Sequence, residues 1–216
     1  MTTNLYLIRH GEAHSNVEAV ISGMRGDRGL TERGIAQAQA LGRRLATGEI
    51  AADVLYASTL PRARQTAEYV AEALKLPIQW DDELHELRPG DADGMHVEAA
   101  RERFESFRHF MIEPYAPIAP GGESWGSFQA RTSAALERLI MRHQNQSVAV
   151  VAHGGTIEIS FLYLLELGPQ ARLRSAFHVR NTAITHWRHG ETIGGRREWQ
   201  LIVHNDHRHL LEEVTR

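Results

Sequence analysis

Two histidines in this sequence each follow a short apolar run. His10 lies within the tetrad Arg9-His10-Gly11-Glu12, directly after the run at 5–8, and His153 follows a second run at 148–152. Runs of this length are typical of buried strands. Because ligand crevices in open α/β sheets form beyond the carboxyl ends of the strands, we expect both histidines at one crevice.

The residue types around these histidines suit the binding and transfer of a phosphoryl group. The Arg9 guanidinium offers paired donors that fit two phosphoryl oxygens, and cations beside His10 keep its imidazole neutral and nucleophilic near neutral pH. Arg62 adds a second cation in the first turn of a predicted helix, and Gly154 lets backbone amides approach an anion closely. Each feature alone has an ordinary structural explanation, as a solvated charge, a buried histidine or a tight turn. Their joint placement at one sheet edge favours an anion site.

The elements that would position these residues alternate along the chain. Spacings of three and four between apolar residues predict helices at 31–48, 61–74, 97–111, 124–139 and 156–167. Short apolar or β-branched runs predict strands at 5–8, 53–57, 78–80, 148–152, 183–185 and 199–203. This order predicts a three-layer α/β/α sandwich with a largely parallel central sheet. Residues 91–121 form an excursion from the sheet, which we expect to be a helical insertion over the active-site edge that acts as a lid.

Composition narrows the class of protein. With 216 residues and 42% apolar content, the economical expectation is a single domain over 1–216. The 24 basic and 27 acidic side chains give a formal charge of −3, which provides no global field for nucleic acid or an anionic membrane. The absence of cysteine excludes disulfide and thiolate chemistry. No apolar run approaches the ~20 residues that span a bilayer, so we expect a cytoplasmic protein, either monomer or homodimer.

Short motifs occur in a fixed order over nearly the whole chain. They are Leu7-Ile8-Arg9-His10-Gly11-Glu12 with Asn16, Leu30-Thr31-Glu32-Arg33-Gly34, the segment 58–67 around Arg62, Leu84-His85-Glu86-Leu87, Gly121-Gly122-Glu123-Ser124, His153-Gly154-Gly155, Asn181-Thr182, and the segment 205–210. Together they resemble the histidine phosphatase superfamily, in its phosphoglycerate-mutase-like branch. An ordered set of this kind is far more specific than any one of its motifs.

The resemblance implies a two-step phosphoryl transfer through a phosphohistidine on His10, with neither a metal nor an organic cofactor. Glu86 would be the general acid, and Glu83 is the competing assignment. The side chains that would hold the transferring oxygens are Arg9, Arg62, Asn16 and His153. Backbone contacts are expected from Gly11 and Gly154, and contacts to the ester side of the substrate from Ser22 and Gly23.

Two departures from the family pattern bear on the predicted function: the first concerns the leaving-group pocket, and only the second favours a phosphatase over a mutase. Where many phosphatase relatives have a tryptophan between two glycines, this chain has Gly90-Asp91-Ala92-Asp93-Gly94, which changes the expected leaving-group pocket. Mutases of the family have an arginine after the acid, whereas here Leu87 follows it. The predicted function is therefore hydrolysis of the phosphomonoester of a small metabolite, with mutase-type transfer as the alternative.

Two other classes of function stay open at this point. The cluster of His204, Asp206, His207 and His209 has side chains that ligate zinc, although Arg208 lies among them. A catalytically silent module that binds phosphorylated ligands would use the same cationic pocket, but retention of both His10 and Glu86 argues against it.

Overall fold

A computed structural model describes residues 2–210 and contains one six-stranded sheet in the order β3-β2-β4-β1-β5-β6. The first four strands in chain order run parallel, while β5 is antiparallel to β1 and β6 is antiparallel to β5. The strands are β1 Thr3–Arg9, β2 Val54–Ala57, β3 Ile78–Trp80, β4 Ser147–Ala152, β5 Ile184–Glu191 and β6 Arg197–Asp206.

Helices cover both faces of this sheet. They are α1 His14–Val17, α2 Glu32–Leu45, α3 Pro61–Leu74, α4 Val97–Arg103, α5 Glu105–His109, α6 Trp125–Arg142 and α7 Gly154–Leu164. Residues of α2 and α3 pack on one face, and residues of α6 and α7 pack on the other. The predicted three-layer sandwich with a largely parallel sheet is confirmed. No helix within residues 2–210 combines the length and apolar character needed to cross a bilayer.

The central strands are apolar throughout because both of their faces are buried. In β4, Val148 and Val150 face the α6 and α7 layer, whereas Ala149 and Val151 face the α2 and α3 layer. This alternation follows from the two-residue period of a strand. The register pairs Val151 with both Ile8 and Ala57, so β1, β4 and β2 end side by side. Residues that directly follow these strands therefore meet at one edge.

The region predicted as one helix from 97 to 111 is broken. Phe104 is in an extended conformation between α4 and α5, where its backbone N–H closes α4 on the Ala100 carbonyl. Phe104 also packs against a small buried cluster of alanines, Ala92, Ala100 and Ala119. The regular spacing of apolar residues was misleading, because packing against the irregular segments at 90–94 and 117–122 decides the conformation.

The last two strands are longer than predicted. They form a hairpin at the edge of the sheet, and the turn lies at 192–196 rather than at 190–195. Their central part was recognisable from apolar residues, but their outer halves carry charges such as Arg188 and Glu198. Backbone pairing with an existing sheet extends these strands beyond what side-chain pattern alone indicates.

Candidate active site

His10 lies immediately beyond β1, with 3% of its surface exposed. Its backbone N–H donates to the Ala152 carbonyl at 3.0 Å, which fixes it to β4. The ring Nδ1 lies 2.6 Å from the Gly11 carbonyl oxygen, which can only accept a hydrogen bond. Nδ1 therefore carries the proton, and Nε2 presents a lone pair. That lone pair accepts a hydrogen bond from Arg62 Nε at 3.1 Å.

Burial is the main cause that lowers the pKa of His10 well below its usual value, and the nearby Arg62 and Arg9 cations lower it further. The Gly11 carbonyl acts in the opposite direction but does not offset these effects. The ring is neutral near neutral pH, which is the state that a nucleophilic imidazole requires.

Arg62 is held at the start of α3 by a buried carboxylate. Because α3 begins at Pro61, Arg62 lies in the first turn of this helix. Its side chain projects from the helix start toward the sheet edge. Its NH1 group donates to Asp27 Oδ2 at 2.7 Å and to Ser22 Oγ at 3.0 Å. The Asp27 side chain is 1% exposed, and its other oxygen accepts the Gly29 N–H at 2.8 Å. This carboxylate fixes the guanidinium whose Nε reaches His10.

Two buried donors at this edge lack partners within residues 2–210. Arg9 NH1 donates to the Val179 carbonyl at 2.7 Å, but Arg9 Nε makes no hydrogen bond. His153 Nε2 lies 2.7 Å from Ser58 Oγ. We assign the tautomer in which Nε2 accepts from the Ser58 hydroxyl, which leaves the Nδ1 N–H as an unpartnered donor. The rings of His153 and His10 are 5.2 Å apart between centroids. Since an unsatisfied buried donor is unfavourable, these groups indicate a site that an oxyanion would complete.

His153 is buried beside the same cations as His10. Burial, followed by the Arg62 and His10 neighbours, lowers the pKa of His153 well below its usual value. The ligand-free ring is neutral. Its contribution to anion binding is therefore a hydrogen bond rather than a charge.

Glu86 lies in the segment between β3 and α4 and lines a cavity together with Ser22 and Gly155. Its Oε2 accepts the Gly155 N–H at 2.9 Å, and its Oε1 accepts the Leu87 N–H at 3.0 Å. A Cβ atom on Gly155 would collide with Glu86 Oε1, so only glycine allows this contact. Glu83, the competing acid, instead pairs with Arg88 at 2.9 Å, and 43% of its side chain is exposed. The structure thus places Glu86 in the crevice.

A cavity of about 310 Å³ opens beside Glu86. Ser22 and Gly155 form its border with the arginine and histidine cluster. Its remaining walls are Ile21, Leu87, Pro89, Phe110, Ile118, Trp125, Glu158 and Arg172. Phe110 and Ile118 come from the predicted insertion, so this segment does border the crevice.

Of the loop residues that were predicted to bind substrate, some contact the histidine and arginine cluster and others are already bonded elsewhere. Ser22 joins the site through Arg62, whereas the Gly23 N–H is already bonded to Asp93 Oδ1 at 2.8 Å. Asn16 is exposed, and its Oδ1 accepts the Ala13 N–H at 3.0 Å. Any hydrogen bond from Asn16 to a phosphoryl oxygen must therefore come from its Nδ2 amide. The Gly11 N–H already donates to Thr66 Oγ1 at 3.0 Å, and Gly154 begins α7 directly after His153.

The C-terminal histidine cluster is a structural ion-pair network. Asp206 accepts hydrogen bonds from Arg44 at 2.7 Å and from Arg208 at 2.9 Å. His209 bonds Thr182 Oγ1 at 2.9 Å, and His204 bonds Thr185 Oγ1 at 3.0 Å. Among residues 2–210, no group of three or more His, Cys, Asp or Glu side chains is arranged to hold a metal ion. The zinc interpretation of this cluster is wrong, because its carboxylate is committed to guanidinium groups.

Several residues that shape the site were missed from the sequence. Asp27 fixes Arg62, and Ser58 contacts His153. Asp93 accepts the backbone N–H groups of residues 23, 25 and 26 and so fixes the Ser22 loop. A usable signal existed for Asp27 and Asp93, because each is an acidic residue within a glycine-rich turn, where side-chain oxygens commonly bond backbone amides.

Comparisons with known proteins agree with this geometry. The family model of the histidine phosphatase superfamily (branch 1) matches residues 5–206. Phosphoserine phosphatase 1 of Hydrogenobacter thermophilus is 37% identical over 165 residues, 76% of each chain. A 2,3-bisphosphoglycerate-dependent phosphoglycerate mutase of Brucella melitensis is 33% identical over 185 residues, which cover 83% of this chain and 89% of the mutase.

A solved structure extends the similarity to the fold. The crystal structure of phosphoserine phosphatase from Entamoeba histolytica in complex with 3-phosphoglyceric acid superposes with a TM-score of 0.79 at 29% identity, covering 96% of this chain and 99% of the other. A family match over residues 5–206, joined to paired histidines at the carboxyl edge of a parallel sheet, leads to one assignment: this chain is an enzyme of the histidine phosphatase superfamily.

Proposed function

We propose that this enzyme hydrolyses phosphomonoesters of small metabolites through a phosphohistidine on His10. The observation that carries the proposal is the neutral His10 ring, whose Nε2 lone pair faces the cationic cluster while Nδ1 is held by the Gly11 carbonyl. The phosphatase names among the relatives support the hydrolytic outcome.

In the first step, His10 Nε2 attacks phosphorus and the bond from phosphorus to the ester oxygen breaks. Glu86 donates a proton to the departing oxygen, so an alcohol is released. The Arg9 and Arg62 guanidinium groups and His153 Nδ1 stabilise the charge on the three non-bridging oxygens. Arg9 Nε and His153 Nδ1, which lack partners in the free protein, gain them here.

In the second step, water attacks phosphorus on the side that the alcohol has left. Glu86, now a carboxylate, takes a proton from this water, the bond from phosphorus to Nε2 breaks, and inorganic phosphate departs. His10 returns to its neutral form with the proton still on Nδ1.

The test of this proposal is chemical capture of the intermediate. Rapid acid-free quenching during turnover should give protein that is heavier by one phosphoryl group, with the modification on His10 and labile in acid. His10→Ala should abolish both turnover and labelling. His189→Asn is a matched control, because His189 pairs with Thr3 at the opposite edge of the sheet and should leave both unchanged. Turnover without labelling at His10 would falsify the proposal.

Mutase-type transfer is the competing function, because the Brucella melitensis mutase matches over most of its length. The two are distinguished by assaying phosphorylated metabolites with and without a second phosphorylated acceptor. Release of free phosphate in both conditions indicates a phosphatase, and transfer that requires the acceptor indicates a mutase. Leu87 after the acid, in place of an arginine, supports the phosphatase.

The proposal also includes four predictions about the whole chain: that 1–216 is one domain, that it works in the cytoplasm, that it is a monomer or homodimer, and that it does not bind nucleic acid. Limited proteolysis, cell fractionation, sedimentation and a nucleic-acid binding assay check these in turn.

A further inference from the structure

The cavity beside Glu86 has a polar wall that phosphoryl transfer does not use. Glu158 lies on α7 one turn after Gly155, so it shares the helix face that contacts Glu86. Arg172 faces it, with Arg172 Nε 3.5 Å from Glu158 Oε2. This distance is longer than that of a charge-assisted hydrogen bond, so the pair is only loosely joined.

Each of these side chains keeps an unpartnered polar atom. Glu158 is 8% exposed, and its Oε1 makes no hydrogen bond within the described chain. Arg172 Nε and Trp125 Nε1 are likewise buried without a partner among residues 2–210. The Arg172 guanidinium is stacked 3.4 Å from the centre of the Trp125 ring. One cavity wall therefore holds one acceptor and two donors that the protein itself leaves unsatisfied.

Unsatisfied buried polar atoms are unfavourable, and a ligand that supplies the missing partners relieves the penalty. Burial, as the largest cause, raises the pKa of Glu158, Arg172 lowers it, and the Glu86 charge raises it again. The Glu158 carboxylate and the Arg172 cation together present no net charge. The group at the end of a ligand that meets this wall, which we call its head, is complementary to the wall if it is uncharged and both donates and accepts hydrogen bonds.

The position of the wall relates it to the substrate. A general acid must reach the ester oxygen, and the alcohol beyond that oxygen lies on the side of Glu86 away from His10. The cavity is lined by Glu86 but not by His10, and its other walls are mostly apolar. Its volume of about 310 Å³ is several times larger than a three-carbon alcohol requires.

We infer that Glu158 and Arg172 form a specificity site for the leaving group, which is an alcohol with an apolar stem and an uncharged donor–acceptor head of the carboxamide type. This inference rests on the proposed function. Glu158 Oε1 accepts from the N–H of the head, while Arg172 Nε and Trp125 Nε1 donate to its carbonyl oxygen. A carboxylate head is disfavoured, because it meets the Glu158 carboxylate.

The test uses phosphate esters that share one alkyl stem and differ only in an isosteric head: a carboxamide, a carboxylate or an isopropyl group. For the unaltered enzyme we expect kcat/KM for the carboxamide ester to exceed that for the carboxylate ester by about tenfold to 100-fold, the range given by one hydrogen bond to a charged group. Glu158→Gln should reduce this ratio at least about tenfold. Glu137→Gln is the matched control, since Glu137 is exposed on α6 and borders a different cavity.

Two further measurements separate this inference from the proposed function. Hydrolysis of ethyl phosphate, which has no head, reports the chemistry of His10 and Glu86 without the head and should be retained in Glu158→Gln, so the ratio of carboxamide to carboxylate ester is compared against this baseline for each variant. Calorimetric binding of the three esters to His10→Ala protein reports the cavity without turnover and should give the same order of affinity. A carboxylate ester that binds as well as the carboxamide, or a ratio that Glu158→Gln leaves unchanged, overturns the specificity site even if ethyl phosphate is hydrolysed.

Discussion

Replacement of Asp27 by asparagine isolates the residue that fixes Arg62. Asp27 Oδ2 lies 2.7 Å from Arg62 NH1, and both side chains are almost completely buried, at 1% and 4% exposed. Removing one charge of a buried pair costs about 3–5 kcal/mol, because the other charge is left without compensation. The amide that replaces the carboxylate keeps one acceptor for the Gly29 N–H, so we expect the free energy of unfolding to fall by about 3 kcal/mol, the lower end of this range.

This loss of stability has a measurable counterpart in melting temperature. For a chain of this size, 1 kcal/mol corresponds to about 2–4 °C, so Asp27→Asn should lower Tm by about 6–12 °C. In the proposed mechanism inorganic phosphate binds beside Arg62, where it would supply the missing negative charge. Saturating phosphate should therefore stabilise the variant more than the unaltered protein, and should recover about half of the difference.

The assay is thermal denaturation over a range of phosphate concentrations. Asp53→Asn is the matched control, because Asp53 also accepts a backbone N–H, from Ser147 at 2.7 Å, but at the opposite edge of the sheet. It should show no extra stabilisation by phosphate. Equal phosphate-induced shifts in Asp27→Asn and the unaltered protein would refute the reasoning, since they would mean that Asp27 and the ligand do not share Arg62.

Three further predictions concern the acid, its glycine partner and the buried histidines. Glu86→Gln should slow hydrolysis of alkyl phosphates by about 10²–10⁴-fold. It should slow hydrolysis of nitrophenyl phosphate much less, because a good leaving group needs little protonation. Equal slowing of both esters in steady-state assays would remove Glu86 from the acid role. Gly155→Ala should give the same leaving-group pattern, since the added Cβ displaces the Glu86 carboxyl, and a crystal structure of the variant should show Glu86 moved. The pKa values of His10 and His153 are lowered in the folded protein, so the unfolded chain binds protons more readily. Stability is then complete above the unfolded value of about 6.5 and falls as the pH drops below it. Urea denaturation between about pH 8 and about pH 5 should show this fall, and the double change to asparagine should flatten it.

The sheet and its flanking helices could be predicted because the pattern of apolar and polar side chains shows which of their faces are buried. A strand buried on two sides must be apolar at every position, and the run at 148–152 has that form. The edge hairpin was underestimated, since the exposed Arg188 and the half-buried Glu198 are charged residues that carry no apolar signal. The break at Phe104 could not be predicted either, because it depends on contacts with Ala92 and Ala119 that are distant in sequence.

The candidate site likewise contains some residues that could be predicted from the sequence and others that could not. His10, His153 and Arg62 follow directly from strand ends and a helix start, where position along the chain determines position in space. Glu158 and Arg172 reach the cavity only through the packing of α7 against the segment after it. No spacing in the sequence joins them, so neither was identified as a functional residue.

The residue that attacks phosphorus and the walls of the cavity belong to different parts of the fold. The His10 backbone N–H is bonded to β4, its carbonyl oxygen accepts from Asn181 Nδ2 at 3.0 Å, and its ring is held by the Gly11 carbonyl, so the residue that carries the attacking atom is fixed by three hydrogen bonds. The cavity walls at Phe110 and Ile118 belong instead to a segment outside the sheet. Substitutions in that segment can change which alcohol is accepted without disturbing the reaction at phosphorus. An enzyme built this way offers a fixed reaction centre on which new substrate ranges can be selected independently.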